Sequence, residues 1–243
     1  MSRSQPRNGS RKSEAGRRRT EDGGRQNVIV ITAVAFDIGE TLIDETRIWS
    51  RWADRLGIPR LTFMGVLGGV AGQGRSHREV FEFFRPGFDL RGEVERWRAE
   101  DPESLRSNFD ADDLYADVRP TFSRLREMGK RVVIAGNQPV EARAALEAMG
   151  LGADAILISA DLGSEKPSRD FFEKVSEGAG ARPDEVLYVG DRLDNDVLPA
   201  NSAGLQSVLI RRGPWGYLHA EWPRAAEADA IINSLSEIPD LLT

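Results

Sequence analysis

The 243-residue sequence contains no cysteine. Disulfide bonds, thiolate zinc sites and a cysteine nucleophile are therefore excluded, and this absence fits a reducing cytoplasm. No apolar run approaches the roughly 20 residues that cross a bilayer. We accordingly expect a cytoplasmic protein with no membrane partner.

The net charge of −6 is unevenly distributed along the chain. Residues 1–27 carry eight Arg or Lys and three acidic residues, so this segment is +5 and the remainder is −11. An acidic body argues against a nucleic-acid-binding groove. The basic leader has no apolar core of a secretory signal. Its two interpretations are a nucleic-acid-binding arm and a disordered leader, and its polar composition favours the disordered leader.

From residue 28 onward, apolar runs alternate with helix-like segments. The run at 28–36 is almost continuously apolar and rich in β-branched residues, which is typical of a strand covered on both faces. Similar runs follow at 131–135, 155–159, 185–189, 206–210 and 230–232, with helices predicted at 139–149, 168–177 and 194–203. This alternation predicts an α/β fold, a doubly wound Rossmann-like parallel sheet of about six strands.

The stretch after the first strand breaks this alternation. It contains helical segments at 46–56, 61–71, 75–84 and 92–99 and no convincing strand. We interpret residues 46–116 as a helical insertion. The predicted organisation is therefore a leader at 1–27, a core formed by 28–45 and 117–243, and the insertion between the two core segments.

Chemistry-bearing residues follow four of the predicted strands, and ligands of doubly wound sheets bind at the carboxyl ends of the strands. The three carboxylates of Asp37, Asp191 and Asp196 would repel one another at one edge of the sheet unless a hard cation lay between them. Oxygen ligands of this kind suit Mg²⁺. Lys166 would hold Asp37 ionised and neutralise charge on a phosphoryl group.

The order of these motifs resembles the haloacid dehalogenase-like (HAD) hydrolase superfamily. The motifs are Asp37 to Thr41, Gly136-Asn137, Lys166-Pro167 and Gly190-Asp191 to Asp196. The resemblance covers roughly residues 28–242, and the insertion resembles the family's C1-type cap. It implies an aspartate nucleophile, a covalent aspartyl intermediate, Mg²⁺ and a cap that selects the substrate.

The resemblance assigns a role to each motif residue. Asp37 matches the nucleophile and a metal ligand, and Asp191 matches the acidic metal ligand. Lys166 matches the lysine of the third motif, and Asp196 the second acid of the fourth. The backbone carbonyl of Gly39 is implied as a further metal ligand. Phosphate contacts are implied for Gly136 and Asn137.

Two positions depart from the family pattern. Typical phosphatases of the family have an acid at the position of Gly39 and a hydroxyl at that of Gly136. General acid–base help is worth about 10²–10⁴ in rate, so alkyl phosphates should react poorly unless another group substitutes. The adjacent Glu40 is expected to point away from Asp37. His77 on the insertion is the other candidate acid or substrate contact, and Arg75 is a candidate anion clamp.

Other chemistries of the family fit less well. Phosphonate cleavage uses a cap lysine, and the four lysines of this sequence (Lys12, Lys130, Lys166 and Lys174) lie outside the insertion. Metal-free dehalogenation does not need the acidic fourth motif that is present here. We expect Mg²⁺-dependent hydrolysis of a small phosphorylated metabolite by a monomer or homodimer. The alternative is a catalytically impaired protein that binds a phosphorylated ligand or a protein partner.

Overall fold

The computed structural model describes residues 30–101 and 109–243. Six parallel strands form one sheet with the order β3-β2-β1-β4-β5-β6. The strands are β1 (Ala33–Phe36), β2 (Arg131–Gly136), β3 (Ala155–Ile158), β4 (Val186–Gly190), β5 (Gln206–Ile210) and β6 (Ala230–Ile232). The predicted doubly wound parallel sheet is confirmed. The predicted leader lies outside the described residues, as do residues 28 and 29.

The first strand is shorter than its apolar run suggested. β1 begins at Ala33, and the backbone N–H of Thr32 ahead of it donates to the Glu185 carbonyl at 2.9 Å. All four residues of β1 are buried. Val34 and Phe36 pack on one side of the sheet, while Ala33 and Ala35 pack on the other. Burial on both faces explains why the sequence here is continuously apolar.

In the described part of the chain between β1 and β2 (residues 37–101 and 109–130), four helices precede the helix that returns to the sheet. They are α1 (Thr46–Leu56), α2 (Arg60–Gly72), α3 (Val80–Phe84) and α4 (Leu90–Glu100). The helix predicted at 75–84 is wrong in its first part. Ser76 caps a 3₁₀ turn at His77–Glu79, and α3 begins only after that turn.

The inserted helices have an apolar cluster of their own. Trp52 packs edge-to-face on Phe81 and Trp97, with ring centroids 4.9 and 5.0 Å apart. Phe63 is fully buried in the same cluster, and Trp215 joins it from the sheet portion of the chain. The inserted segment is therefore held together by aromatic packing and rests on the sheet portion through Trp215.

Seven further helices occur in the described residues from 109 onward. They are α5 (Val118–Glu127), α6 (Glu141–Ala148), α7 (Ser159–Leu162), α8 (Arg169–Ala179), α9 (Leu198–Ser202), α10 (Gly213–His219) and α11 (Ile238–Leu241). Residues of α5, α6 and α11 pack on one face, and residues of α8 and α9 on the other. The helix predicted at 194–203 is wrong in its first turn, because a π-helical turn spans Leu193–Val197 and α9 follows it.

The sheet order changes direction at β1, since β2 and β3 lie on one side of it and β4 to β6 on the other. A crevice for ligands forms at such a switch point, outside the carboxyl ends of the strands. Across residues 30–101 and 109–243, no helix combines the length and apolar character needed to cross a bilayer.

A matched pair of leucines tests the assigned core. Leu125 in α5 is fully buried, whereas Leu61 in α2 is 87% exposed. We expect Leu125→Ala to lower the free energy of unfolding by about 2–5 kcal/mol, because it leaves a cavity. Leu61→Ala should change it by less than about 0.5 kcal/mol. Urea denaturation measures both values, and equal effects would contradict this packing.

Candidate active site

Two aspartates extend from adjacent strands at the switch point. Asp37 follows β1, Asp191 follows β4, and the last residue of β1 pairs in register with Val189. The Asp37 N–H continues the sheet by donating to the Val189 carbonyl at 2.9 Å. Asp37, Asp191 and Asp196 are all buried, and carboxylate oxygens of the three lie within 4.8 Å of one another.

The π-helical turn brings Asp196 back toward the strand end. Its Oδ2 accepts a hydrogen bond from the Arg192 N–H at 2.9 Å. Gly190 makes this approach feasible, because a Cβ at that position would lie 2.4 Å from the Asp196 Cγ. A side chain at residue 190 would therefore exclude Asp196 from the cluster.

Lys166 lies between two of the three carboxylates. Its Nζ is 2.6 Å from Asp37 Oδ1 and 2.6 Å from Asp196 Oδ1. Burial alone would lower the pKa of the Lys166 ammonium. The charges of Asp196 and Asp37 outweigh this effect and hold that pKa well above its usual value. Lys166 is therefore a permanent positive charge at the site.

Asn137 contacts the backbone of Lys166. The Lys166 N–H donates to Asn137 Oδ1 at 2.8 Å, and Asn137 Nδ2 donates to the Lys166 carbonyl at 3.0 Å. This pair of bonds fixes the segment that carries the lysine. Asn137 also lines the cavity described below, so it lies at the site as the sequence predicted.

The pKa values of Asp191 and Asp196 are both raised. Burial, and then the charges of Asp196 and Asp37, raise the pKa of Asp191 well above its usual value. The pKa of Asp196 is raised to about 6, mainly by burial, although Lys166 partly offsets this shift. A buried group of oxygen ligands with excess negative charge suits a hard divalent cation. The donor set therefore fits Mg²⁺.

Gly136 and Gly39 each make room for a carboxylate. A Cβ at Gly136 would lie 2.7 Å from Asp37 Oδ1. A Cβ at Gly39 would lie 2.3 Å from Glu45 Oε1. The space beside Gly39 is thus taken by a side chain that sequence reasoning did not select.

Glu45 is half-buried at the N-terminus of α1 and lines the site. Its Oε2 accepts from Trp49 Nε1 at 3.0 Å, and its backbone N–H donates to Glu40 Oε1 at 3.1 Å. Burial, and then the charge of Glu40, raise the pKa of Glu45 to about 8. The only signal in the sequence was its place directly before the predicted helix at 46–56.

Glu40 also lines the site but is tied elsewhere. It adopts the left-handed region with φ 50°. Its Oε2 accepts from the Tyr115 hydroxyl at 2.6 Å, and burial is the main cause that raises its pKa. Glu40 thus fixes the turn after β1 and the start of α1.

A cavity of about 500 Å³ separates the strand ends from the inserted helices. Asp37, Lys166 and Asp191 line it on the sheet side. On the opposite side lie Ile48, Trp49, Ser76, His77 and Arg78, with Trp215 beside them. A volume of this size suits a small-molecule ligand.

Of the two residues of the insertion that were predicted to contact the substrate, one lines the cavity and the other does not. His77 lines the cavity, whereas Arg75 is not among the lining residues. The Arg75 guanidinium bonds Glu79 Oε2 at 2.8 Å and lies 5.0 Å from the centre of the Phe83 ring. Arg78 is the arginine of this turn that reaches the cavity.

Both histidines have an environment that favours the neutral imidazole. His77 packs between Trp49 and Trp215, with ring centroids 5.8 and 6.4 Å away. Burial, and then the charge of Arg192, lower the pKa of His77 to about 4. His219 is fully buried, accepts from the Leu193 N–H at Nδ1, and has its pKa lowered to about 4, mainly by burial.

Comparison with known proteins identifies relatives of this chain. A family model described as haloacid dehalogenase-like hydrolase matches residues 31–204. Glyceraldehyde 3-phosphate phosphatase of Methanopyrus kandleri is 38% identical over 104 residues, which are 42% of this chain and 45% of that protein. Ribulose-1,5-bisphosphate 5-phosphatase of Halopiger xanaduensis is 32% identical over 136 residues, 54% of this chain and 57% of that protein. The chain spans about half the length of these curated relatives.

Solved structures share the fold. A HAD-superfamily hydrolase of subfamily IA from Geobacter sulfurreducens matches with a TM-score of 0.63 and 22% identity, covering 90% of this chain and 99% of that one. A putative HAD-hydrolase from Bacillus subtilis, described as bound to magnesium, matches with a TM-score of 0.64 and 19% identity. That match covers 88% of this chain and 99% of the other.

The two histidines of the sequence allow a direct test of the site's electrostatics. We expect both imidazoles to remain neutral as the pH falls from 8 to about 5, because each pKa is lowered to about 4. His219 should carry its proton on Nε2, since Nδ1 accepts a hydrogen bond. Imidazole ¹⁵N NMR measures both properties. Titration of His77 near its ordinary pKa of about 6.5 would contradict the burial described here.

Proposed function

Because the chain belongs to the haloacid dehalogenase-like hydrolases, we propose that it is a Mg²⁺-dependent phosphatase of a small phosphorylated metabolite. The observation that carries this proposal is the Lys166–Asp37 pair at the switch point of the sheet, where the carboxylate opens on a cavity of metabolite size. The relatives named above are phosphatases of three- and five-carbon metabolites by name. They support the reaction class and leave the substrate of this chain open.

In this proposal Asp37 is the nucleophile. Its carboxylate attacks phosphorus, the bond to the leaving oxygen breaks, and an aspartyl phosphate forms. Water then attacks that phosphorus, and phosphate leaves as the Asp37 carboxylate is restored. Lys166 pairs with Asp37 and contributes positive charge where the phosphoryl group would lie. Asn137 positions Lys166 through the two backbone bonds.

Asp37, Asp191 and the backbone carbonyl of Gly39 would hold the Mg²⁺, with Asp196 beside them. When bound, Mg²⁺ supplies positive charge that offsets the negative charge of the phosphoryl group being transferred. Asp196 is already paired with Lys166, so its role is to hold both the lysine and the metal-binding edge in place.

We further propose that residues 46–116 act as a cap of the C1 type. The separate aromatic cluster of this segment and its contribution to the cavity wall support this role. His77, as a neutral imidazole, and Arg78, as a cation, would contact the part of the substrate away from phosphorus. Gly136 and Asn137 would lie nearest the phosphate on the sheet side.

Phosphate release from p-nitrophenyl phosphate, acetyl phosphate and sugar phosphates tests the proposal. With Mg²⁺ present, we expect Asp37→Asn to lower turnover at least about 10³-fold, because no aspartyl phosphate can form. Asp184→Asn, at an exposed aspartate paired with Arg182, is the matched control and should leave turnover unchanged.

Two results would count against this function. Equal activity of Asp37→Asn and the unaltered protein would exclude the aspartyl intermediate. A folded protein that binds phosphorylated ligands with Mg²⁺ but hydrolyses none of them would support the alternative of a non-catalytic binding protein, which the glycine at position 39 motivates.

A further inference from the structure

We propose that Glu45 is the general acid and base of this site and replaces the acidic side chain that Gly39 lacks. This inference rests on the phosphatase function proposed above. It assigns the proton transfers to a residue eight positions after the nucleophile, at the start of α1.

The first argument is position. A Cβ built on Gly39 would lie 2.3 Å from Glu45 Oε1 and 2.9 Å from Glu45 Cδ. The Glu45 carboxylate therefore already occupies the volume that any side chain at residue 39 would enter. The absence of a side chain at Gly39 is what allows the Glu45 carboxylate to lie there.

The second argument is orientation. Trp49 Nε1 holds Glu45 Oε2 at 3.0 Å, while Glu40 Oε1 holds the Glu45 backbone N–H at 3.1 Å. The remaining oxygen, Oε1, is the one nearest to Gly39. Asp37, Gly39 and Glu45 all line the same cavity. The carboxylate is thus fixed with one oxygen turned toward the nucleophile's side of the site.

Two other acids that line the cavity, Glu40 and Asp194, have hydrogen-bond or ion-pair partners away from Gly39. Glu40 accepts hydrogen bonds at both oxygens, from the Glu45 N–H and the Tyr115 hydroxyl, and its side chain packs against Gly213. Asp194 pairs with the Arg192 guanidinium at 2.7 Å. His77 lies between two indoles. Of these groups, Glu45 is the one with an oxygen turned toward Gly39.

In this proposal Glu45 donates a proton in the first step and regains one in the second. In the first step the Glu45 carboxyl gives its proton to the leaving oxygen as the P–O bond breaks and the Asp37–phosphorus bond forms. In the second step the Glu45 carboxylate takes a proton from the water that attacks phosphorus. The Asp37–phosphorus bond then breaks, phosphate leaves, and Glu45 is again protonated.

The isosteric variant Glu45→Gln tests the role through the leaving group. Benzyl phosphate and p-nitrophenyl phosphate have similar shapes, but p-nitrophenolate leaves without much protonation. Rapid-quench measurement of phosphorylated protein gives the rate of the first step. We expect Glu45→Gln to lower this rate about 10²–10⁴-fold with benzyl phosphate and less than about tenfold with p-nitrophenyl phosphate. An equal loss with both substrates would overturn the proposal.

Glu40→Gln is the matched control, because it removes a neighbouring buried carboxylate but keeps an amide oxygen that can accept from the Glu45 N–H. It should lower the rates with both substrates by the same factor. A larger loss of rate with benzyl phosphate than with p-nitrophenyl phosphate, seen in Glu40→Gln but not in Glu45→Gln, would assign the acid to Glu40 and overturn the proposal.

Restoring an acid at residue 39 gives an independent test. Gly39→Asp alone should not raise turnover of benzyl phosphate, because the new side chain meets the Glu45 carboxylate. Gly39→Asp combined with Glu45→Ala opens that space and should recover at least tenfold of the activity lost in Glu45→Ala. A several-fold gain from Gly39→Asp with Glu45 in place would refute the arrangement.

The two proposals fail in different ways. In one outcome, Asp37→Asn abolishes phosphate release, and Glu45→Gln lowers the rates with both substrates equally. That outcome supports the phosphatase function and rejects the role of Glu45. A protein that forms no phosphorylated species from either substrate removes the phosphatase function and the role of Glu45 with it.

Discussion

The site depends on one buried ammonium group. Lys166 donates to Asp37 and Asp196, which would otherwise add two adjacent negative charges to the charge of Asp191 at a poorly solvated strand edge. Removing one partner of a buried ion pair commonly costs about 3–5 kcal/mol, because the other charge is left uncompensated. The position of Lys166 is in turn fixed by the two hydrogen bonds from Asn137. The lysine therefore links the ends of β1 and β2 to the turn that carries Asp196.

Glycines determine which carboxylates can enter this arrangement. Gly190 allows Asp196 to fold back on β4, and Gly136 leaves room beside the Asp37 carboxylate. Gly39 does the same for Glu45. The two positions where the sequence analysis predicted the loss of a functional side chain are thus bordered by carboxylates from other segments.

The sequence was sufficient to predict the sheet and the convergence of Asp37, Lys166, Asp191 and Asp196. Both follow from buried strands whose carboxyl ends must meet at one edge. It was not sufficient for Glu45, because the reach of that side chain depends on the turn at 37–45. The left-handed conformation of Glu40 in that turn is not encoded in any simple pattern. Arg78 was not predicted to line the cavity, and a 3₁₀ turn at His77–Glu79 replaces the helix that was predicted there. The π-helical turn at Leu193–Val197, which positions Asp196, has no hydrophobic periodicity in the sequence from which it could be predicted.

The aromatic cluster of the inserted helices has an optical consequence. Four of the five tryptophans lie in or against the inserted helices, and the fifth, Trp222, packs on a small cluster that includes Leu209 of β5. Trp49 and Trp215 line the cavity, and Trp52 and Trp97 lie in the inserted helices. Intrinsic fluorescence from this protein therefore reports on the cavity wall and the inserted segment far more than on the sheet, so the chain carries its own emission probe at the surface where a substrate would enter.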